Sequence, residues 1–228
     1  MIQELKALCQ QHNIDMTYHR FPTSERSEIL DILYSVLQSK PINMEILDQV
    51  VIYLDNNELS LGLFDITANE NISLIKYFIS KGANPYHTDM FNRNMMHCAS
   101  QNSPEVIRYT YDLIGADCFR REETGETAIF NAVSSGKIEN IKLLQDLGFD
   151  ITTKDQQGVS VMYDALISVA SQEPDKMSID VIAYLYQQGV RISKGFGGLQ
   201  MAIDRGEYGH HLTNFLQIHK ELLKFEDE

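Results

Sequence analysis

Cysteine is scarce in this chain of 228 residues, which carries only Cys9, Cys98 and Cys118. No CxxC pair occurs and no Cys/His group has zinc spacing, so neither a disulfide framework nor a structural zinc site underlies the fold. The three thiols fit a reducing compartment, and a cytoplasmic location is expected. Long apolar runs are missing: none approaches the roughly 20 residues that span a bilayer. The start, Met1 to Asn13, lacks the charged opening and apolar core of a signal peptide. Bases are few, 19 against 32 acids, for a net charge of −13. No basic stripe stands out, so nucleic acid and anionic membranes are disfavoured as partners. The acidity would steer a basic protein partner; it also keeps a protein soluble without committing it to any. Hydrophobic residues make up 43% of the chain, which is enough core for folding without covalent staples.

The chain does have internal repetition. The segment Asp89–Arg121 aligns without a gap on Glu122–Lys154, and a third copy opens at Asp155, a period of 33 residues. Asn92, Gly125 and Gly158 fall in step, as do Asn94, Thr127 and Ser160, and Ala99, Ala132 and Ala165. Upstream, Lys81–Pro85 matches Ile114–Cys118 and Leu147–Ile151, so Gly82, Gly115 and Gly148 are also in register, and Ile66 takes the slot of Ala99. Downstream, Gly189 lies 41 residues after Gly148. The extra residues fit between helices around Val169–Lys176. The following turn, to Gly195, is shortened, and Ala202 again follows Gly195 by seven.

Each unit predicts two helices. The first carries a small residue (Ala99, Ala132, Ala165, Ala202) where a neighbouring helix can approach. The second carries an apolar stripe at 3–4 spacing: Leu74, Ile75, Phe78 and Ile79; Ile107, Tyr111 and Ile114; Ile141, Leu144 and Leu147; Ile182, Leu185 and Tyr186. Gly82, Gly115, Gly148 and Gly189 suit the left-handed position that ends a helix. Ser103-Pro104 suits an N-cap followed by proline. No unit can bury its stripe alone, so neighbours must stack. The first 58 residues depart from the register. Met1–Gln11, Glu25–Gln38 and Met44–Asp55 read as amphipathic helices, with Ser24 and Asn43 as N-caps, Ile29, Leu33 and Val36 on one stripe, and Leu47, Val50, Val51 and Leu54 on the next. His211–Phe225 reads as a closing helix with Lys220 and Lys224 on a wet outer face.

These features resemble the ankyrin repeat family. Asn94–Ala99, Thr127–Ala132 and Ser160–Ala165 stand at its T-P-L-H-x-A motif, although no copy has the proline and only His97 keeps the histidine. The resemblance spans Leu59 to Ile218. It implies an all-α ankyrin-repeat solenoid of about five units. The organisation is then 1–58 as a helical cap with a degenerate repeat, 59–218 as repeats, and 219–228 as the end of a capping helix with an acidic tail.

Candidate chemistry reads as structure. The resemblance gives His97 a hydrogen bond near the turn, and no nucleophile is spaced to it. Cys98 points about 100° away from His97 on a helix and forms no dyad with it. Cys118 occupies an apolar slot. His210, His211 and His219 lack a third ligand for a metal. Gly195–Gly198 lacks the phosphate-loop lysine and serves better as a connector. Glu122, Glu123 and Glu126 read as a solvated turn with no apolar wall to raise a pKa. No catalytic, metal or cofactor residue is assigned.

The resemblance implies binding of a protein through projecting turns and first-helix surfaces, by a monomer. The turns are Tyr86–Asn92, Phe119–Gly125 and Thr152–Gly158. Their tips include His87, Asp89, Met90, Phe91, Arg93, Arg120, Arg121, Glu123, Glu126, Lys154 and Gln156, and Tyr86 and Phe119 are further partner-binding candidates in the same loops. The groove-facing slots of the first helices include Gln101, Asn102, Ser134 and Ser135. Tyr86, Phe91 and Phe119 are hot-spot residue types; the competing reading packs these rings beneath the hairpins. Arg93, Arg120 and Arg121 gather positive charge, and reversing it is expected to weaken binding while leaving thermal stability alone. A scaffold or adaptor, an acidic inhibitor or immunity-type protein occluding a basic toxin or enzyme, and a secreted effector binding host proteins would all use this surface. An enzyme with an unrecognised site in the first 60 residues is the alternative of a different class.

Overall fold

The computed structural model describes residues 2–16, 25–68, 71–171 and 176–191. Among them the regular structure is helical: eleven α-helices, one 3-10 turn and no strand beyond an isolated bridge between Lys154 and Ser160. The all-α class expected from the repeat pattern is therefore observed. The chain divides between His87 and Thr88 into two compact units.

The N-terminal unit holds α1 (Ile2–Gln11), α2 (Glu25–Gln38), α3 (Met44–Val51), α4 (Asn56–Ala68) and α5 (Ile72–Ser80). Its apolar stripes are buried as expected, with Ile29, Leu33, Val36, Leu47, Val50, Val51, Leu74, Ile75 and Phe78 in the core. Asn43 caps α3 by accepting from the amides of Glu45 and Ile46. One expected boundary is corrected. The third helix does not run to Asp55 but ends at Val51, because Asp55 begins the next helix. Its carboxylate accepts from the amides of Asn57 and Glu58, and Glu58 accepts from the Asp55 amide in return. This reciprocal capping box satisfies amides that a helix start leaves open. It also places the expected boundary between Glu58 and Leu59 inside α4.

The second unit holds α6 (Met95–Ala99), α7 (Pro104–Ile114), a 3-10 turn (Gly115–Phe119), α8 (Ala128–Ser134), α9 (Ile138–Asp146), α10 (Val161–Ser171) and α11 (Lys176–Gln187). Each first helix packs on its own second helix. The first helices α6, α8 and α10 then pack in series, as do the second helices α7, α9 and α11. Ala99, Ala132 and Ala165 are at most 2% exposed, which is why small residues recur there at the repeat interval. Ile107, Ile114, Ile141, Leu144, Ile182 and Leu185 fill the space between layers.

The helix ends follow the glycine register with one exception. Gly82, Gly148 and Gly189 have positive φ, and the amides after them return to Phe78, Leu144 and Leu185 carbonyls five residues back, the Schellman pattern. At Gly115 the chain instead turns into the 3-10 segment. Ser103 is at the N-cap of α7 without a side-chain bond, so Pro104 alone marks that start. The extra residues near Val169 lengthen α10 to Ser171, rather than starting a loop at Val169. Expectations that fall on Ser24, Gly195–Gly198, Ala202, His210, His211, His219 and the closing helix lie outside the described residues.

Candidate functional site

Three hairpins precede α6, α8 and α10, and they share one construction. An acid opens each: Asp89, Glu122 and Asp155. Its amide donates to the carbonyl four residues on, in Arg93, Glu126 and Val159, at 2.9–3.0 Å. Its carboxylate accepts from turn amides: Phe91 and Arg93 for Asp89, Thr124 and Glu126 for Glu122, Gln157 and Val159 for Asp155. The fourth residue takes positive φ, at Asn92 (+60°), Gly125 (+92°) and Gly158 (+81°). Those are the three positions that the repeat had aligned. Gly125 is needed twice over, since a Cβ there would lie 2.8 Å from the Gln156 amide nitrogen. The opening acids were visible in the sequence as the first residue of each aligned copy, yet their role as turn acceptors was missed.

The hairpins are laced together. The Glu123 amide donates to the Phe91 carbonyl at 2.8 Å, and the Gln156 amide repeats this contact on Thr124 at 2.9 Å. Asn92 Nδ2 donates to the Arg121 carbonyl, and Gln156 Nε2 to the Glu123 carbonyl. Arg121 is the largest link. Its guanidinium donates to the Gly125 carbonyl at 2.5 Å, the Lys154 carbonyl at 2.9 Å and Thr153 Oγ1 at 2.6 Å.

Each arginine of the expected cationic patch has partners within the chain. Arg121, although exposed, ties two hairpins together. Arg120 forms an ion pair with Asp117 at 2.6 Å and donates to Asn92 Oδ1. Arg93 pairs with Asp89 at 2.6 Å. Burial pushes the Asp89 carboxyl up, but hydrogen bonds from the Arg93 side chain and the Arg93 and Phe91 amides outweigh it and hold its pKa low. Asn102, expected to face a groove, is 8% exposed and donates to the Cys98 carbonyl. Its own carbonyl, with that of Ser100, accepts from Asn140 Nδ2 of α9.

The other expected residues divide by exposure. Met90 is 85% exposed and Phe91 46%. Gln101, Glu123, Ser134 and Gln156 are exposed, and Lys154 is half-buried. Phe119 is a compromise between the two readings: 39% exposed, its ring centroid is 4.7 Å from that of Phe149. In the N-terminal unit Tyr86 is 54% exposed, and His87 packs edge-on to Phe64.

Glu126 contradicts the solvated-turn expectation. Burial comes first, then the negative charges of Asp164, Glu122 and Asp155, and together they push its carboxyl up to about 7. Asp164, on α10, is pushed up to about 6, by burial and then by Asp155. The folded pKa of Glu126 is above its ordinary 4.5, so the folded chain holds more protons than the unfolded chain between 4.5 and about 7. The stability it contributes is greatest below that window and falls as pH rises through it. Glu126→Gln is expected to leave the thermal midpoint unchanged below the window and raise it above. Melts of both proteins across pH check this; a difference that stays constant with pH would contradict it. His97 acts in the opposite sense. Burial lowers its pKa from 6.5, so its contribution falls as pH drops below that value.

His97 Nδ1 accepts from the Asn94 amide and completes a capping box, the structural role that the motif implied. Burial, then Asp117, raises the Cys118 thiol to about 12, and burial raises Cys9, so neither is an activated nucleophile. A cleft of about 620 Å³ in the N-terminal unit is lined by His12, Ser35, Lys40 and Asn43, among others. Ser35 Oγ has no hydrogen-bond partner there, so it is not coupled to His12 as a nucleophile is to its base. No group of three or more metal-ligating side chains occurs among the described residues, and none of their helices is long and apolar enough to cross a membrane.

Paired helices stacked in register, with a laced row of hairpins, define a helical repeat architecture. Residues 63–155 match the family model for ankyrin repeats, in three copies, which supports the ankyrin-type reading of that segment. A comparison with curated proteins finds no match. Ankyrin repeats are in general protein–protein interaction modules.

Proposed function

We propose that this chain is a non-catalytic, monomeric interaction module that holds a protein partner on its hairpins and first-helix surfaces. The observation that carries the reading is the exposure of large apolar side chains, Met90 and Phe91, on a hairpin otherwise consumed by internal hydrogen bonds. A rigid loop that leaves such side chains in water suits docking. The net charge of −13 favours a basic partner. The absence of any disulfide among the three cysteines fits a reducing compartment such as the cytoplasm.

Captures from the native cell with the full chain test this. Ser134→Arg on α8 or Met90→Ser on the hairpin is expected to lose the captured protein. Glu139→Lys, exposed on second helix α9, is expected to keep it. A protein lost only with Glu139→Lys, or no protein above background for the unmodified chain, would overturn the reading.

A further inference from the structure

The Met90–Phe91 tip has a fixed shape. Asp89 accepts from the Phe91 and Arg93 amides, Asn92 turns the chain at positive φ, and the Phe91 carbonyl is held by the Glu123 amide of the next hairpin. The Arg93 guanidinium is 5.2 Å from the Phe91 ring centroid and is clamped at its other side by Asp89. The ring is therefore braced yet 46% exposed, beside a methionine that is 85% exposed. Nothing in local folding requires two large apolar side chains there: the turn is made by backbone and by Asp89. Presenting them in one conformation lowers the ordering cost of burying them in a partner.

Charge decides what surrounds them. All three nearby arginines are committed, Arg93 to Asp89, Arg120 to Asp117 and Arg121 to carbonyls and Thr153. On the next hairpin Arg121 is exposed but bonded to two carbonyls and Thr153, while the exposed Glu123, whose amide holds the Phe91 carbonyl, has no ion pair among the described residues. An apolar tip edged by negative charge complements an apolar pocket edged by positive charge.

We propose that the Met90–Phe91 tip is an apolar plug that seats in a hydrophobic pocket of a protein partner rimmed by lysine or arginine. This rests on the protein-binding reading above and adds which element anchors the partner and what chemistry receives it. Both side chains are exposed, so the chain folds without them, and circular dichroism with a thermal melt verifies that for each variant.

The test uses the full chain and a displayed library of random peptides as probe. Peptides enriched by the unmodified chain are expected to combine lysine or arginine with aromatic or aliphatic residues. Their affinity should fall about thirtyfold in M90S/F91S, the loss a hot spot gives on truncation. It should fall about tenfold in Glu123→Lys, the scale of a close interfacial charge pair, and weaken as salt is raised. Enrichment without basic residues, or no peptide that prefers the unmodified chain over M90S/F91S, overturns the proposal. Peptides lost in Ser134→Arg but indifferent to M90S/F91S overturn it too, while leaving the protein-binding reading in place. Binding of zwitterionic or anionic vesicles that M90S/F91S abolishes would replace a protein pocket with a lipid surface, and also overturn it.

Discussion

Asn140→Ala is expected to destabilise the chain by about 3 kcal/mol, more than a surface change on α9 could. Asn140 is fully buried, and its amide donates to the Ser100 carbonyl at 3.0 Å and the Asn102 carbonyl at 2.6 Å. Both acceptors lie just past the end of α6, where a helix leaves carbonyls without intrahelical partners. A side chain 38 and 40 residues away therefore closes the α6–α7 connection. Alanine strands two carbonyls in a space too apolar to hydrate them, at about 1–3 kcal/mol for each unsatisfied group. Some of this is offset, because Asn140 Oδ1 is itself buried without a partner and is removed with the side chain. Urea unfolding checks the value: the midpoint should fall with little change in slope. An unchanged midpoint would mean that these carbonyls find other donors. Asn140→Leu, which fills the space without donors, should be no better, since the loss is in hydrogen bonding rather than volume.

The same contact shows where sequence reasoning stopped. The periodic features were legible because they are set by backbone geometry that repeats with the chain. Asn92, Gly125 and Gly158 share a left-handed turn, and Ala99, Ala132 and Ala165 share a close helix approach, so each recurs at 33. Asn102 was placed on an open surface because its position in a first-helix segment is polar; nothing local announces that α9 supplies a donor to its carbonyl. Glu126 likewise has polar neighbours in sequence, while its burial, and then the charges of Asp164 and Asp155, come from the next repeat. The end of α3 was legible but overridden. Asp55 and Glu58 carry a capping-box spacing, and Leu54 continued the apolar stripe past it. In the candidate site, the exposed tip at Met90 and Phe91 followed from apolar residues in a turn. The fate of Arg121 did not, because a guanidinium that bonds backbone carbonyls leaves no pattern in the residues it binds.

Arg121→Glu separates those two accounts of the arginines most sharply. If Arg121 were a docking side chain, reversing its charge would spare the thermal midpoint. The geometry predicts otherwise: three hydrogen bonds are lost, two of them to the next hairpin. The new carboxylate cannot donate to carbonyls, and it enters a junction that already holds Glu122, Glu126 and Asp155. We expect a loss of about 3 kcal/mol, since hydrogen bonds to charged groups contribute about 1.5–3 kcal/mol each and this one is partly open to water. In a chain of this size that lowers the midpoint by roughly 6–12 °C. Arg93→Glu, which breaks one partly exposed pair with Asp89, should cost about 1 kcal/mol. Arg121→Lys distinguishes charge from shape. It keeps the cation but has no planar fork to reach Gly125, Lys154 and Thr153 together, so it should recover only part of the loss. Differential scanning calorimetry of the four proteins orders them. If Arg121→Glu and Arg93→Glu melt alike, the lacing of the hairpins by Arg121 is not what holds them, and the exposed arginine is again a candidate contact.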